Sequence, residues 1–396
     1  GNPEGIYAVR LFKNGAWHRV IIDDLFPTVP NAYVDKEGVL RTGEWKGYDT
    51  RFAAPAFAHS AVSNELWLMI IEKAYAKYHG SYADIEGGLV HNAMVDLTGG
   101  NAEFYHLRSQ EVKSMVDNGS LWTKLHEYDK EGHLLAAGSP PGDDTDVSHM
   151  GIVQGHAYAV LKVAEVSDTN GTHKLLQLRN PWGHGEWKGD WSDTDTERWT
   201  KRMCVKLGHD MKGTAEDDDG IFWMSFDDFV ENFADLYVCR IPRTVDMGGE
   251  WHRYMAFGSW KGATAAGCTN NPGSEANPQF WIPVRKQCKV FLSLSQVEEP
   301  GKPLVPIGFY VMKKKGKRVK CRFGGETVAT AKYAPAREVT ADFELKPRRE
   351  PYTLFVSTYA KDQEADFRIT LYSTQPLGAT LEGNVLEQIP DSVEAK

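Results

Sequence analysis

The 396-residue sequence has no apolar run near the roughly 18 residues that a membrane-crossing helix needs. No spanning helix is expected. Its first residues, GNPEG, lack the basic and then apolar pattern of a secretory signal, so a cytoplasmic protein is the expectation. Cysteine is scarce. The five residues Cys204, Cys239, Cys268, Cys288 and Cys321 are odd in number and widely spaced, without a CxxC pair, which leaves no disulfide framework and no zinc knuckle. Excess positive charge is missing too: 45 Lys and Arg face 54 Asp and Glu, a net charge of −9 with no basic domain. That argues against nucleic acid, because neutralising phosphates requires a basic face. What is present is ordinary for a globular chain, 41% hydrophobic and 25% charged residues, at a length that supports two or three domains with cores of their own.

Along the chain, IYAVRLF and AWHRVIIDD flank Lys13-Asn14-Gly15, a β-hairpin signature because Asn-Gly tolerates the positive φ of a tight turn. Pro27 to Pro55 is irregular and rich in Gly and Pro, a surface connection. A core helix follows, capped by Ser63 or Asn64 and ended by Gly80, with Leu66, Ile70, Ala74 and Tyr78 at helical spacing beside Trp67, Ile71 and Tyr75. A second helical pattern runs from about Ser109 to Tyr128. GHAYAVLKVAEV and THKLLQLRN then read as an antiparallel pair joined by DTNG.

His156 opens the first of these strands and Asn180 closes the second. In a hairpin the start of one strand lies beside the end of the next, so the two side chains, twenty-four residues apart in sequence, are expected to meet. A cysteine peptidase needs such a pair: the imidazole moves the thiol proton to the leaving amine, while the amide oxygen fixes the ring's tautomer. Trp182, two residues on, is placed to cover the contact. An isolated histidine at a strand start is more often a satisfied structural residue. The combination GHAY plus LRNPWG is the more specific signal.

The segments GIYAVRLFKNGAWHRVIIDD, ELWLMIIEKAYAKYHGSYADIEGG, DLTGG, GHAYAV, LRNPWGHGEWKGDWSD and DDGIFWMSFDDFVENF resemble, in order and spacing, the protease core of the calpains, papain-like calcium-dependent cysteine proteases. The KNGAW hairpin and GIVQGHAYAVL are similar in wording to the calpain-like proteins of kinetoplastid protozoa. From GEWHRYMAFGSWKG to ADFRITLYS the sequence resembles the C2-like β-sandwich that follows that core. The resemblance implies an α+β chain: a protease core over 1–245, mostly its antiparallel β half-domain plus helices, an all-β C2-like sandwich over 246–375, and a linker or tail over 376–396. It implies His156 as catalytic histidine, Asn180 as its partner and Trp182 as the shielding indole.

The nucleophile does not carry over. The family places its cysteine, with an oxyanion-hole glutamine, in a QGxxGDCW helix upstream of the opening hairpin, and here the first cysteine is Cys204, after both His156 and Asn180. Cys204 lies in the charged stretch KRMCVKLG, whereas the family's thiol sits on a helix N-terminus whose dipole lowers its pKa. The expectation is that this chain, a part of a longer protein, is inactive by itself. A non-catalytic calpain-like module of a cytoskeletal or flagellar assembly is the alternative. A metal-dependent hydrolase is weaker still, because His149 and His156 stand seven residues apart with no HExxH pairing.

The resemblance also implies one calcium ion in this half of the core, held by Glu186 and Asp193 in one loop, and by Asp219 and the Asp217 carbonyl in another. Ile221 stands where the family has a further glutamate. Weak or absent calcium is therefore expected, and a solvated acidic loop is an equal reading. Polypeptide is the implied substrate, with protein partners, tubulin-based ones among them, if the chain is not catalytic. KKKGKRVK from Lys313 to Lys320 reads first as a solvated turn, and second as a contact for acidic headgroups or an acidic protein. Trp251, Trp260 and Trp281 are expected in the sandwich core.

Overall fold

The computed structural model describes residues 4–29, 32–34, 40–42, 55–60, 62, 65–169, 171–209, 218–299, 301–319, 327–378 and 384–390. The chain forms two units, Gly1–Leu89 with Asp96–Gly99, and Val90–Val95 with Gly100–Lys396.

The first unit opens with the hairpin β1 (Ile6–Lys13) and β2 (Ala16–Asp23). Its turn residues Asn14 and Gly15 have φ of 51° and 85°, as an Asn-Gly turn requires. A short pair, β3 (Ala32–Val34) and β4 (Leu40–Thr42), follows. Helix α1 (Trp67–His79) packs through its middle: Ala74 is buried with Leu11, Val20 and Ile22, flanked by Ile70, Tyr75 and Tyr78. Its first turn departs from the expected wide core face, since Trp67 is 55% exposed. A two-stranded sheet covers only the part of a helix that crosses it. The expected caps Ser63 and Asn64 lie outside the described residues, and Gly80 ends the helix at φ 129°.

Helix α2 (Val90–Thr98) is divided, Val90–Val95 in the second unit and Asp96–Thr98 in the first; the first layer of the second unit is a six-stranded antiparallel sheet. In chain order come β5 (Asn101–His106), α3 (Gln110–Asp117), α4 (Ser120–Glu131), β6 (Leu134–Gly138), β7 (Ala157–Asp168), β8 (Gly171–Arg179), α5 (Lys201–Leu207), β9 (Ile221–Ser225), α6 (Phe226–Asn232) and β10 (Asp235–Arg240). The spatial order is β5-β10-β6-β7-β8-β9. The single helix expected over Ser109–Tyr128 is broken in two, because Gly119 takes φ 75°, which a continuing helix cannot accept. Leu121, Leu125, Leu178, Phe222 and Phe229 fill the core between helices and sheet.

The remaining strands are β11 (His252–Trp260), β12 (Gln279–Ile282), β13 (Cys288–Gln296), β14 (Ile307–Met312), β15 (Thr327–Ala334), β16 (Glu338–Leu345), β17 (Tyr352–Thr358) and β18 (Ala365–Ser373). They form two four-stranded antiparallel sheets, β11-β18-β13-β16 and β12-β17-β14-β15. Trp260, Phe280, Leu292, Phe309, Leu354 and Ile369 are buried between them, which makes this region a sandwich. Trp281 is buried as expected, while Trp251 packs on Phe291 and Tyr372. The expected linker beyond 375 is partly docked: Leu386 and Ile389 are buried, and the Leu386 and Ile389 N–H groups donate to the Trp281 and Gln279 carbonyls at 2.8 Å each. Leu377 is buried in the same core and Val385 packs against it, so several apolar side chains in a polar stretch hold it on the sandwich.

The sandwich is joined to the six-stranded sheet by charge. Arg240 donates from one Nη1 to Glu103 Oε1 at 3.0 Å and to Asp342 Oδ1 at 2.6 Å, with its guanidinium 4.0 Å from the centre of the Phe291 ring. Glu338 accepts from the Ala102 N–H at 2.8 Å and from Asn101 Nδ2 at 3.2 Å, along the edge strand β5.

Candidate active site

The β7–β8 hairpin sets the site. Ala159 pairs with Arg179 and Val160 with Leu178, so the residue before β7 and the residue after β8 are neighbours. His156 Nε2 lies 2.9 Å from Asn180 Oδ1. Asn180 is fully buried and every part of it is used: Oδ1 also accepts from the Trp182 N–H at 3.1 Å, Nδ2 donates to the Gly185 carbonyl at 3.2 Å, and its N–H donates to the Gly220 carbonyl at 2.8 Å. An amide held at both ends cannot flip, so oxygen faces the imidazole and Nε2 must be the protonated ring nitrogen. Nδ1 is left with its lone pair, able to act as a base.

The Trp182 indole stands 4.5 Å from the His156 ring centre, tilted by 42°, and covers one face while remaining 43% exposed. Tyr158 meets the ring edge-on at 5.1 Å. Residues invisible to motif reading complete the support. Ser139, at the end of β6, accepts the His156 N–H on Oγ at 2.9 Å, and its own N–H donates to the His156 carbonyl at 2.9 Å. Nothing local in GSPPG announces this; it needs β6 beside β7. Gly155 precedes the histidine at φ 58°, and a Cβ there would sit 2.3 Å from the Gly142 carbonyl oxygen, so only glycine fits this turn.

Below the pair, two loops lace together. Asp218 accepts the Gly185 N–H on both oxygens, at 2.9 and 3.0 Å, while Glu186 Oε1 accepts the Asp219 and Gly220 N–H groups at 3.1 and 2.9 Å. Burial, then repulsion from Asp193 and Asp218, raises the Glu186 carboxyl to about 7. These are the loops the resemblance gives to calcium. As placed, Glu186 spends its oxygen on backbone donors, and among the described residues no three His, Cys, Asp or Glu side chains stand where they could hold a metal together. Asp217 lies outside the described residues. Ile221 begins β9, paired with Arg179, with its N–H on Asp219 Oδ1 at 2.9 Å; its apolar side chain offers no ligand.

Cys204 is far from the pair. It packs with Leu175, Trp199, Met203 and Trp223, and Leu175 is opposite Ala164, eight residues along from His156. At the rise of a strand that is about 25 Å. The remaining described cysteines, Cys239, Cys268 and Cys288, are buried.

Residues 1–240 match the calpain family cysteine protease description, and residues 256–372 match domain III of the calpain large subunit. The chain is 39% identical over 394 residues to the calpain-type cysteine protease DEK1 of Arabidopsis thaliana, covering 94% of this chain and 17% of that protein. It is 31% identical over 437 residues to the calpain-1 catalytic subunit of Mus musculus, covering 98% of this chain and 54% of the relative. It therefore spans about a sixth of the plant protein and about half of the mouse one. With a buried asparagine orienting a histidine at the head of an antiparallel sheet, and with family matches along both of its halves, this chain belongs to the calpain family of cysteine proteases.

Proposed function

We propose that the chain supplies the base and its orienting partner to a calpain-type cysteine endopeptidase, and that it hydrolyses nothing until a thiol from outside this sequence faces His156. The observation that carries this is the 2.9 Å contact between His156 Nε2 and Asn180 Oδ1. Nδ1 takes the thiol proton, and the thiolate sulfur attacks the peptide carbonyl. The imidazolium then returns that proton to the departing amine, leaving an acyl-enzyme. Water, deprotonated by the same Nδ1, cleaves the thioester and regenerates the thiol. Asn180 keeps its own protonation state throughout and holds the ring's direction, while Trp182 shields the contact from water.

The substrate is polypeptide and the setting the cytoplasm. Calcium at Glu186, Asp193, Asp219 and the Asp217 carbonyl binds weakly, and no step of the reaction runs through it. A second reading, a non-catalytic module of a cytoskeletal or flagellar assembly, draws on the exposed lysines of the 313–317 turn, which belong to the sandwich and not to the protease core.

A fluorogenic peptide assay separates these readings. The chain alone and the chain joined to the nucleophile segment of a related calpain are compared, each with and without His156→Ala. Turnover only in the joined form, lost at least a thousandfold in the variant, is expected. Turnover by the chain alone that depends on His156, or a joined form indifferent to His156, would end the proposal.

A further inference from the structure

Asn180 is held by two glycines from two different loops. The Gly185 carbonyl accepts its side-chain Nδ2 at 3.2 Å, and the Gly220 carbonyl accepts its N–H at 2.8 Å. Both glycines lie in the left-handed region, Gly185 at φ 83° and Gly220 at φ 77°, and Gly183 joins them at φ 74°. Glycine enters that region at no steric cost and leaves it as readily, so backbone preference alone does not keep either carbonyl in place. Each is gripped from across the site. Asp218 accepts the Gly185 N–H on both carboxylate oxygens, at 2.9 and 3.0 Å, and Glu186 Oε1 accepts the Gly220 N–H at 2.9 Å. A carboxylate of each loop fixes the glycine of the other, and both lines converge on Asn180.

The two grips are not equivalent. The Asn180 backbone is already placed by the pairing of Arg179 with Ile221, one residue before it, so Glu186 adds to a ladder that exists without it. The nitrogen end of the side chain has no such support: among the described residues, Nδ2 makes its one bond to the Gly185 carbonyl. Asp218 is therefore what steadies that carbonyl, through a charge-assisted bond of the stronger kind. Asp218 is exposed, so its removal opens no cavity. We propose that Asp218 is a positioning residue for the reaction, holding the Gly185 N–H so that the Asn180 amide keeps its oxygen on His156; the proposal rests on the reading of His156 and Asn180 as base and partner. It touches neither the imidazole nor the substrate.

The test uses the full 396-residue chain labelled with nitrogen-15 histidine, and the joined form described above, both in EDTA so that bound metal contributes nothing. The unaltered chain is expected to show the Nε2–H form of His156 alone, and D218A to add a second tautomer and to speed exchange of the Gly185 amide at least tenfold. D218N keeps a carbonyl oxygen for that amide and is expected to keep the single tautomer. In the joined form D218A is expected to lower kcat at least tenfold with KM changed less than threefold, and D218N to restore most of the loss. An unchanged His156 spectrum in D218A overturns the proposal. So does equal loss in D218N, or an equal change in E127A, which removes an exposed carboxylate on α4. D218S carries the same expectation if D218A does not fold. A joined form without His156-dependent turnover ends the functional reading, and the tautomer spectrum of the chain alone then still decides whether Asp218 holds the amide.

Discussion

His156 Nε2 and Asn180 Oδ1 lie 2.9 Å apart, and the same oxygen accepts the Trp182 N–H at 3.1 Å. One buried acceptor therefore sets the ring's tautomer and the turn that carries its indole cover. Replacing Asn180 by alanine removes both contacts and leaves the Gly185 carbonyl without its donor. The variant is expected to lose about 2 to 4 kcal/mol of stability, from buried groups left unsatisfied. In nitrogen-15 spectra its His156 ring is expected as a mixture of tautomers. An unchanged urea midpoint with an unchanged imidazole spectrum would refute the role given to this amide.

Thiol chemistry gives a second test. Cys204 packs on the cluster of Trp199, Met203 and Trp223, which also takes Ala164 and Val166 from the half of β7 remote from His156. An epoxide that alkylates peptidase thiolates is expected to leave the chain unlabelled, and Cys204→Ala to change nothing. Rapid, His156-dependent labelling of Cys204 found by mass spectrometry would contradict the fold described for this face.

Calcium titration checks the loops beneath the pair. With Ile221 apolar and Glu186 tied to the Asp219 and Gly220 N–H groups, affinity is expected no tighter than about 10⁻⁴ to 10⁻³ M, the range of sparse sites. Ile221→Glu is expected to tighten it about tenfold or more in calorimetry. Micromolar binding by the unaltered chain, with no gain in the variant, is the result that fails.

The junction of sheet and sandwich predicts a pH dependence. Glu338 is half-buried as a residue, but its carboxyl group is enclosed against β5, and burial raises it from 4.5 to about 7 despite opposing help from Arg368, Asn101, Ser293 and the Ala102 N–H. The folded state therefore holds the proton more tightly than the unfolded chain. Its contribution is complete below about 4.5 and disappears as pH rises through about 7, with a ceiling of about 3 kcal/mol at 1.36 per unit. Urea unfolding at pH 5 and pH 8 is expected to show a loss with rising pH that Glu338→Gln lacks. Parallel behaviour of the two proteins would assign the slope elsewhere.

Local pattern made much of this architecture legible. Asn14-Gly15 announced the first hairpin because its positive φ angles are a property of two adjacent residues. The strand runs on either side of DTNG brought His156 to Asn180, since a hairpin converts sequence distance into proximity without help from other elements. The helix break at Gly119 was missed because the apolar spacing continues across it, and only packing on the sheet decides which turn yields.

What the sequence determined by itself was the periodicity of its elements, the lateness of its first cysteine and the meeting of His156 with Asn180, all encoded in neighbouring residues or one hairpin. Tertiary structure alone decided what surrounds them. Ser139 reaches the His156 backbone from another strand, and Glu186 turns its carboxylate to the backbone of the opposite loop. Leu386 and Ile389 draw a polar stretch onto the sandwich. Each depends on contacts between segments far apart in the chain, which are selected by the free energy of the whole packed core and not by the propensities of any one segment.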